Sequence, residues 1–489
     1  PDEPLPIPLT YAPDDPAVAP ARDGRAGPPG TPLGGPVGSG SVLKPLVVLA
    51  LPILAENVLH MFVGLTDTYL AGHLPNESAA ATNAIGTVAY VLWFVNLLAM
   101  AIAAGATAVV SRAVGARHRS LANSVAGQSI GAAALVGAVT AVVFAAFAGP
   151  LAELTGLKGV ALEYTRFYFQ VMSLSLPFSI VTVAAGAVLR GSGDTLTPAV
   201  AMVAVDLVNV ALSASLAHGY LGLPEMGFRG IAVGTVVAYT IGGIILVAAL
   251  ARRRRGPGGR HVRLHLHRLR PHLATLRRLL KIGLPSGLEG GLTWVAQFTI
   301  LQTINGMDPT NVSGAAHIVT IRVESLSFML GLAISTATAT MVGQSLGRRD
   351  PVRAARATWA AAGLGLAVMC SWGVAFALVG RHLAAVMTTD PRAVDLVGTC
   401  LFITAFSQPG FAATLVFGGA LRGAGDTLVV MVINIVSQIG LRLVGVLVLV
   451  RLFHFGLPAV WLVLATELTI RGCFITGRFV QGGWKHVKV

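Results

Sequence analysis

Two glutamates stand in long apolar runs where a charge is out of place. Glu56 lies in LPILAENVLHMFVGLTDTYLAGHL (51–74) and Glu289 in KIGLPSGLEGGLTWVAQFTI (281–300), each four residues after a proline, Pro52 or Pro285. An ionised carboxylate near the middle of a bilayer costs roughly 2.5–3.5 kcal/mol even on the lenient insertion scale. Loss of solvent favours the neutral form of a carboxyl group, so such a residue can take up and release a proton, or hold a small cation. If the runs are helical, His60 is turned about 40° from Glu56 and Asp67 only about 20°, which puts all three on one stripe. The plainer alternative for Glu56 is a hydrogen bond to His60. Asp67 lies nearer the outer end of its run, where water would screen it. Glu289 shares its face with Ser286, Thr293 and Gln297, a polar stripe suited to lining a cavity.

Further candidates occur in other runs. Asp206 lines up with Asn209 and Ser213, either as a cation site or as a hydrogen-bonded helix contact. Glu324 shares a face with His317 and Thr320, with Arg322 on the other side, and Asn434, Gln438 and Arg442 form a second polar stripe. Tyr90, Trp93 and Phe94 could contact an organic cation through their ring faces; a membrane-interface belt explains them equally well. The residues expected to couple to a cation are therefore Glu56, Glu289, Asp206, Asp67 and His60. Those expected to touch substrate are Glu289, Glu324, Gln297, Asn209, Trp93 and Phe94.

These groups need a membrane scaffold. Of 489 residues, 54% are hydrophobic and only 11% charged, against roughly 25% charged in a soluble domain. Runs near the ~20 residues that a helix needs to cross the hydrocarbon core recur throughout. They read as twelve helices at about 45–71, 84–110, 124–149, 163–188, 196–217, 229–251, 282–305, 314–342, 356–380, 394–420, 428–450 and 457–477. The fold class is thus an all-α polytopic membrane protein. Residues 1–42, rich in Pro, Gly and Asp, read as a disordered tail. Residues 43–251 form a first six-helix bundle, 252–281 a basic linker, 282–478 a second bundle, and 479–489 a closing tail.

The formal charge of +14 does not point to nucleic acid, because the basic residues lie between apolar runs. With both termini placed in the cytoplasm, 26 of the 35 Lys and Arg fall in tails and cytoplasmic connections and five in outer ones. The positive-inside rule then predicts cytoplasmic termini in a cell membrane. Cys370, Cys400 and Cys473 lack the spacing of a disulfide frame or metal site. No nucleotide-binding motif, HExxH or paired nucleophile and base stands out, so neither a primary pump nor an enzyme is expected, and no cofactor or metal.

LRGSGDT (189–195) returns as LRGAGDT (421–427). At the same offset Gly115 meets Gly347, Pro177 meets Pro409 and Gly186 meets Gly418; one residue of slippage aligns Glu56 with Glu289. Two like-oriented bundles related by an axis along the membrane normal follow, with a cavity between them. Each heptapeptide reads as a joint between the fourth and fifth helix of its half. Arg190 or Arg422 would snorkel to headgroups, Gly191 and Gly193 or Gly423 and Gly425 would permit the turn, and Asp194 or Asp426 would cap the next helix. Pro52, Pro177, Pro285 and Pro409 could act as hinges, or simply be accommodated by packing.

Residues 51–74, the stretch RVESLSFMLGLAISTATATMVGQSLGRRDPVRA (322–354) and the paired LRGxGDT turns resemble the multidrug and toxic compound extrusion (MATE) family of secondary transporters, over about residues 43–480. The resemblance implies a V-shaped pair of six-helix bundles that exports amphipathic, often cationic small molecules in exchange for inward H⁺ or Na⁺. It also implies a coupling or substrate role for the acid of the seventh helix, Glu289, and a cation site in the first half. Membrane lipids and the coupling ion are the remaining expected partners, and the protein is expected to work as a monomer. The competing reading is a flippase for a lipid or lipid-linked precursor from the same broader superfamily, which would call for a more cationic cavity.

Overall fold

Apolar runs that must satisfy every backbone donor and acceptor internally become helices. The computed structural model describes residues 41–74, 78–252, 262–265, 269, 272–307, 312–388 and 390–487. Most of the expected first tail, much of the basic linker and the last two residues lie outside the described residues. The helices are α1 (Leu43–Gly72), α2 (Ser78–Gly115), α3 (Arg119–Glu153), α4 (Gly159–Ser192), α5 (Leu196–His218), α6 (Phe228–Ala251), α7 (Leu273–Asn305), α8 (Val312–Gly347), α9 (Pro351–Met387), α10 (Pro391–Gly423), α11 (Thr427–Leu452) and α12 (Leu457–Gln481). Eleven are long and apolar enough to cross a membrane. The exception, α7, has 33 residues and carries Glu289, Gln297 and Gln302 inside its apolar stretch, which lower its apolarity. No strand occurs among the described residues.

The two halves pack alike. In the first, α4 is central, meeting α2, α3 and α6, while α5 packs on α1. In the second, α10 meets α8, α9 and α12, and α11 packs on α7. The halves meet through α2 against α7, α1 against α8, and α2 against α8. The first two contacts are images of each other and the third is its own image, as a two-fold axis requires.

Glycines at that axis set the closeness of approach. A Cβ added to Gly115 would lie 2.1 Å from the Gln344 carbonyl oxygen, and one added to Gly347 would lie 2.1 Å from that of Arg112. On α1, Leu46, Leu49, Ala50 and Ile53 share a core with Ala333, Ile334, Ala337 and Met341 of α8. Its image brings Leu279 and Ile282 of α7 into the first half's core. Thr340 donates to the Arg190 carbonyl at 3.2 Å and Gln344 to that of Gly191 at 3.2 Å. Arg112 donates to the carbonyls of Val487 at 2.6 Å and Ala424 at 3.3 Å. All of these contacts sit at the end that carries the basic connections 112–119 and 348–356, so the halves are clasped there.

Pro52, Pro177, Pro285 and Pro409 lie inside α1, α4, α7 and α10, and each helix runs on through its proline. A break in helical geometry occurs instead in α3 at Phe147 (φ −115°, ψ 19°), ahead of Pro150. α11 differs from its image α5 by carrying π-helical turns at Val436–Leu443 and Val448–Leu452.

Candidate functional site

The repeated heptapeptide supplies more than a turn. α4 extends to Ser192, so Arg190 occupies its last turn rather than a loop. Helical side chains lean toward the helix N-terminus, which at this end of α4 means back toward the membrane interior. The Arg190 guanidinium therefore does not snorkel outward. Its Nη1 meets Glu56 Oε1 at 2.5 Å. Arg422 does the same at the end of α10, with Nη2 2.6 Å from Glu289 Oε1. Asn434 donates to that same oxygen at 2.5 Å. The expectation of headgroup contacts for the two arginines is corrected by this geometry, as is the hydrogen bond from His60 to Glu56. The His60 ring lies instead 6.1 Å from that of Tyr239.

The turns themselves are made by one glycine each. Gly193 (φ +93°) and Gly425 (φ +85°) take the left-handed conformation, which a side chain disfavours. Gly191 and Gly423, expected to serve the turn, are helical and serve packing. A Cβ on Gly191 would lie 3.0 Å from the Thr107 carbonyl oxygen, and one on Gly423 would lie 2.2 Å from that of Ala339. Asp194 caps α5 as expected, accepting from the Thr197 backbone N–H at 3.0 Å and its hydroxyl at 2.7 Å. Asp426 does not cap α11. It pairs with Arg478 of α12 at 2.8 Å.

Deeper in the first half, Asp67 is buried, at 4% exposure, rather than screened by water near a helix end. Its Oδ1 accepts from Asn209 at 3.1 Å, and its Oδ2 from Thr235 at 2.7 Å and Tyr168 at 3.4 Å. α1, α4, α5 and α6 thus converge on one carboxylate, and every hydrogen-bond donor to it is neutral. Asn209 also donates to Ser213 at 3.3 Å. Asp206, one turn away on α5, is buried with neither carboxylate oxygen hydrogen-bonded.

The second half gathers its buried charge differently. Glu467 of α12, at 1% exposure, accepts from Arg442 Nε at 2.8 Å and forms an ion pair with Arg471 at 3.2 Å. Ser437 also donates to it. The π-helical turns of α11 carry both Ser437 and Arg442 to this acid. His317 is buried beside Trp461, with ring centroids 5.5 Å apart.

A model of the MatE family matches residues 52–214 and 285–448, one copy in each half. A relative from Thermotoga maritima described as probable multidrug resistance protein NorM is 30% identical over 455 residues, covering 91% of this chain and 93% of its own. The chain belongs to the MATE family. YisQ of Bacillus subtilis, described as an uncharacterized transporter, is 25% identical over 440 residues, with 90% of this chain and 94% of the relative covered. Among solved structures, an outward-facing multidrug resistance MATE transporter superposes with a TM-score of 0.82 at 20% identity, covering 91% of this chain and 97% of its own. A MATE transporter in a bent conformation gives 0.83 at 19% identity, with the same shares covered. These two likenesses concern the fold, which is the two-bundle MATE architecture anticipated from the repeat.

Within this MATE fold the residues singled out by sequence separate into groups. Glu56 and Glu289 occupy equivalent places on α1 and α7, each paired to an arginine of its own half. Asp67 and Asn209 belong to the neutral nest. Asn434 joins Glu289, whereas Gln438 and Arg442 belong to the opposite end of their stripe, where Arg442 meets Glu467. Glu324 lies on α8 partly buried and Arg322 is exposed. Gln408, next to Pro409, accepts from Ser327 at 2.6 Å. Gln297, Trp93 and Phe94 are exposed, and Phe94 meets Trp294 edge-on at 6.1 Å, so α2 and α7 share an aromatic contact. The Tyr90 side chain lies outside the described residues. Sequence reasoning missed Tyr168, Thr235, Tyr239 and Glu467. Glu467 did leave a trace as the one acid of α12, four residues before Arg471, a spacing that pairs charges on a helix.

Proposed function

We propose that this MATE chain is a secondary antiporter of a cell membrane that exports amphipathic, cationic organic compounds in exchange for inward H⁺ or Na⁺. The observation that carries the reading is Asp67, a buried carboxylate held by hydroxyls and an amide and, among the described residues, by no cation. A charge so placed is sensitive to the arrival of one proton or one small cation, because no built-in positive group already neutralises it. Asp206, one turn from Asn209 on α5 and with neither carboxylate oxygen hydrogen-bonded among the described residues, adds a second acceptor. Occupation of this centre from outside would release an organic cation, and emptying it toward the cytoplasm would restore the affinity. Each inward positive charge gains about 2.3 kcal/mol per 100 mV of membrane potential.

Glu56 and Glu289 supply the anionic lining near the junction of the halves, where an exported cation would bind. The preponderance of Lys and Arg at the clasped end supports a cytoplasmic placement of that end and of both termini.

The test is transport by the purified protein in proteoliposomes with imposed pH or Na⁺ gradients, using cationic dyes and labelled lipids. Gradient-driven dye efflux is expected in the wild type and its loss in Asp67→Asn. Unchanged efflux in that variant sinks the reading, and gradient-independent lipid movement without dye efflux would favour a flippase.

A further inference from the structure

The heptapeptide arginines have a role that a turn does not require. We propose that Arg190 and Arg422 are tethered counter-cations: each guanidinium occupies the carboxylate, Glu56 or Glu289, that an organic cation must take over, so that binding proceeds by displacement. The cation is of the ammonium or quaternary-nitrogen class, a choice that rests on the exporter reading.

Three observations converge. First, each acid sits on the helix face that turns toward the opposite half. Glu56 lies about 20° from Leu49 on α1, and Glu289 about 20° from Ile282 on α7; Leu49 and Ile282 are packed against the opposite half. Second, each carboxylate is only half used. Oε1 takes the arginine, while Oε2 is buried without a hydrogen-bond partner in both Glu56 and Glu289. A buried carboxylate oxygen left open calls for an explanation, and a face kept for an incoming cation supplies one. Third, the seat of the guanidinium is cleared by a glycine four residues earlier. A Cβ on Gly186 would lie 3.0 Å from Arg190 Nη1, and one on Gly418 would lie 3.3 Å from Arg422 Nη1. That acid, arginine and glycine recur together in both halves makes the arrangement a device rather than a local accident.

Out of water, one carboxylate with two monovalent cations leaves an uncompensated charge, which is strongly unfavourable. Arginine and ligand therefore exclude each other, and in the empty site the carboxylate stays neutralised. The halves are not equal. Glu289 has a second donor, Asn434, where the first half has Met202 at the equivalent position.

The experiment is equilibrium binding of ethidium to the purified full chain in detergent, read by fluorescence anisotropy, so it can fail while gradient-driven export stands. Arg190→Met and Arg422→Met are expected to bind ethidium about tenfold tighter, the change produced by removing a competitor worth roughly 1.4 kcal/mol. Arg190→Lys and Arg422→Lys keep a tethered charge and are expected to stay near the wild type. Added guanidinium ion is expected to compete with ethidium in the Met variants more than in the wild type, a rescue that a merely structural arginine would not produce. Combining Arg422→Met with Glu289→Gln is expected to abolish the gain. Gly186→Ala and Gly418→Ala crowd the guanidinium without removing it and are expected to raise affinity in the same direction. Should the Met variants not fold, these two decide. The proposal is overturned by Met variants that bind no tighter than the wild type, by Met and Lys variants that behave alike, by unmoved affinity in both alanine variants, or by no ethidium binding in any of them.

Discussion

The two halves of this molecule share a fold and a floor but not a buried centre. In the first half one carboxylate, Asp67, is surrounded by Tyr168, Asn209 and Thr235. In the second, Glu467 is held between Arg442 and Arg471. The helix count, the joints, the glycine crossings and the Glu–Arg pairs are duplicated; the electrostatics of the interior are not. A carboxylate among neutral donors keeps a charge that an outside cation can alter. One gripped by two arginines is already neutralised, and its work is to tie α12 to α11. Under the proposed antiport, duplication of the backbone has left the first half to respond to an ion while the second is braced.

The sharpest way to break this comparison is to neutralise each acid in turn. Glu467→Gln leaves two arginines buried without a counter-charge and is expected to lose about 3–5 kcal/mol of stability, measured as a fall in the melting temperature of the purified protein. Asp67→Asn removes no partner of a buried cation, so it is expected to stay folded while losing ion-driven efflux. Were the two variants to melt alike, the distinction between a responsive and a braced half would fail.

The symmetry of the floor can be tested next. Gly115→Ala and Gly347→Ala each force a methyl to within 2.1 Å of a backbone oxygen, and each is expected to destabilise by about 1–3 kcal/mol. Equal losses fit a shared axis; a loss in one variant only would not. The joints sharpen the contrast further. Asp426→Asn, which releases Arg478 from a charged hydrogen bond, is expected to cost about 1.5–3 kcal/mol, against about 1 kcal/mol for loss of the Asp194 cap in Asp194→Ala. Gly193→Ala and Gly425→Ala place a side chain at a positive φ in the same turn geometry. Each is expected to lose about 1–2 kcal/mol by the same melting assay.

Particular residues show what could be read in advance. The twelve spans were legible because hydrocarbon thickness imposes a length and a composition on any helix that crosses it. The repeat was legible because LRGxGDT and the aligned prolines and glycines survive in both copies. Glu56 and Glu289 announced themselves as charges in oil. Their partners did not, because the apolar run fades near 188 and leaves Arg190 looking like part of a loop, whereas two more residues in helix turn its side chain inward. The position of Asp67 near the end of its own helix suggests exposure, but its burial is made by α4, α5 and α6. Tyr168 and Thr235 carry hydroxyls that are ordinary in any apolar helix, so nothing marked them.

By itself, the sequence determined that the chain crosses the membrane repeatedly, that it does so in two copies of one plan, and that a few acids must find company within. These follow from local composition and from spacing along one strand of text. Apart from Arg471, four residues from Glu467 on the same helix, which group keeps company with which acid was decided by tertiary structure, because Arg190 lies 134 positions from Glu56, Tyr168 lies 101 from Asp67 and Arg442 lies 25 from Glu467, on helices whose rotation no single segment fixes. Coulomb attraction and hydrogen bonding depend on distance in space, and only the packed bundle sets that distance.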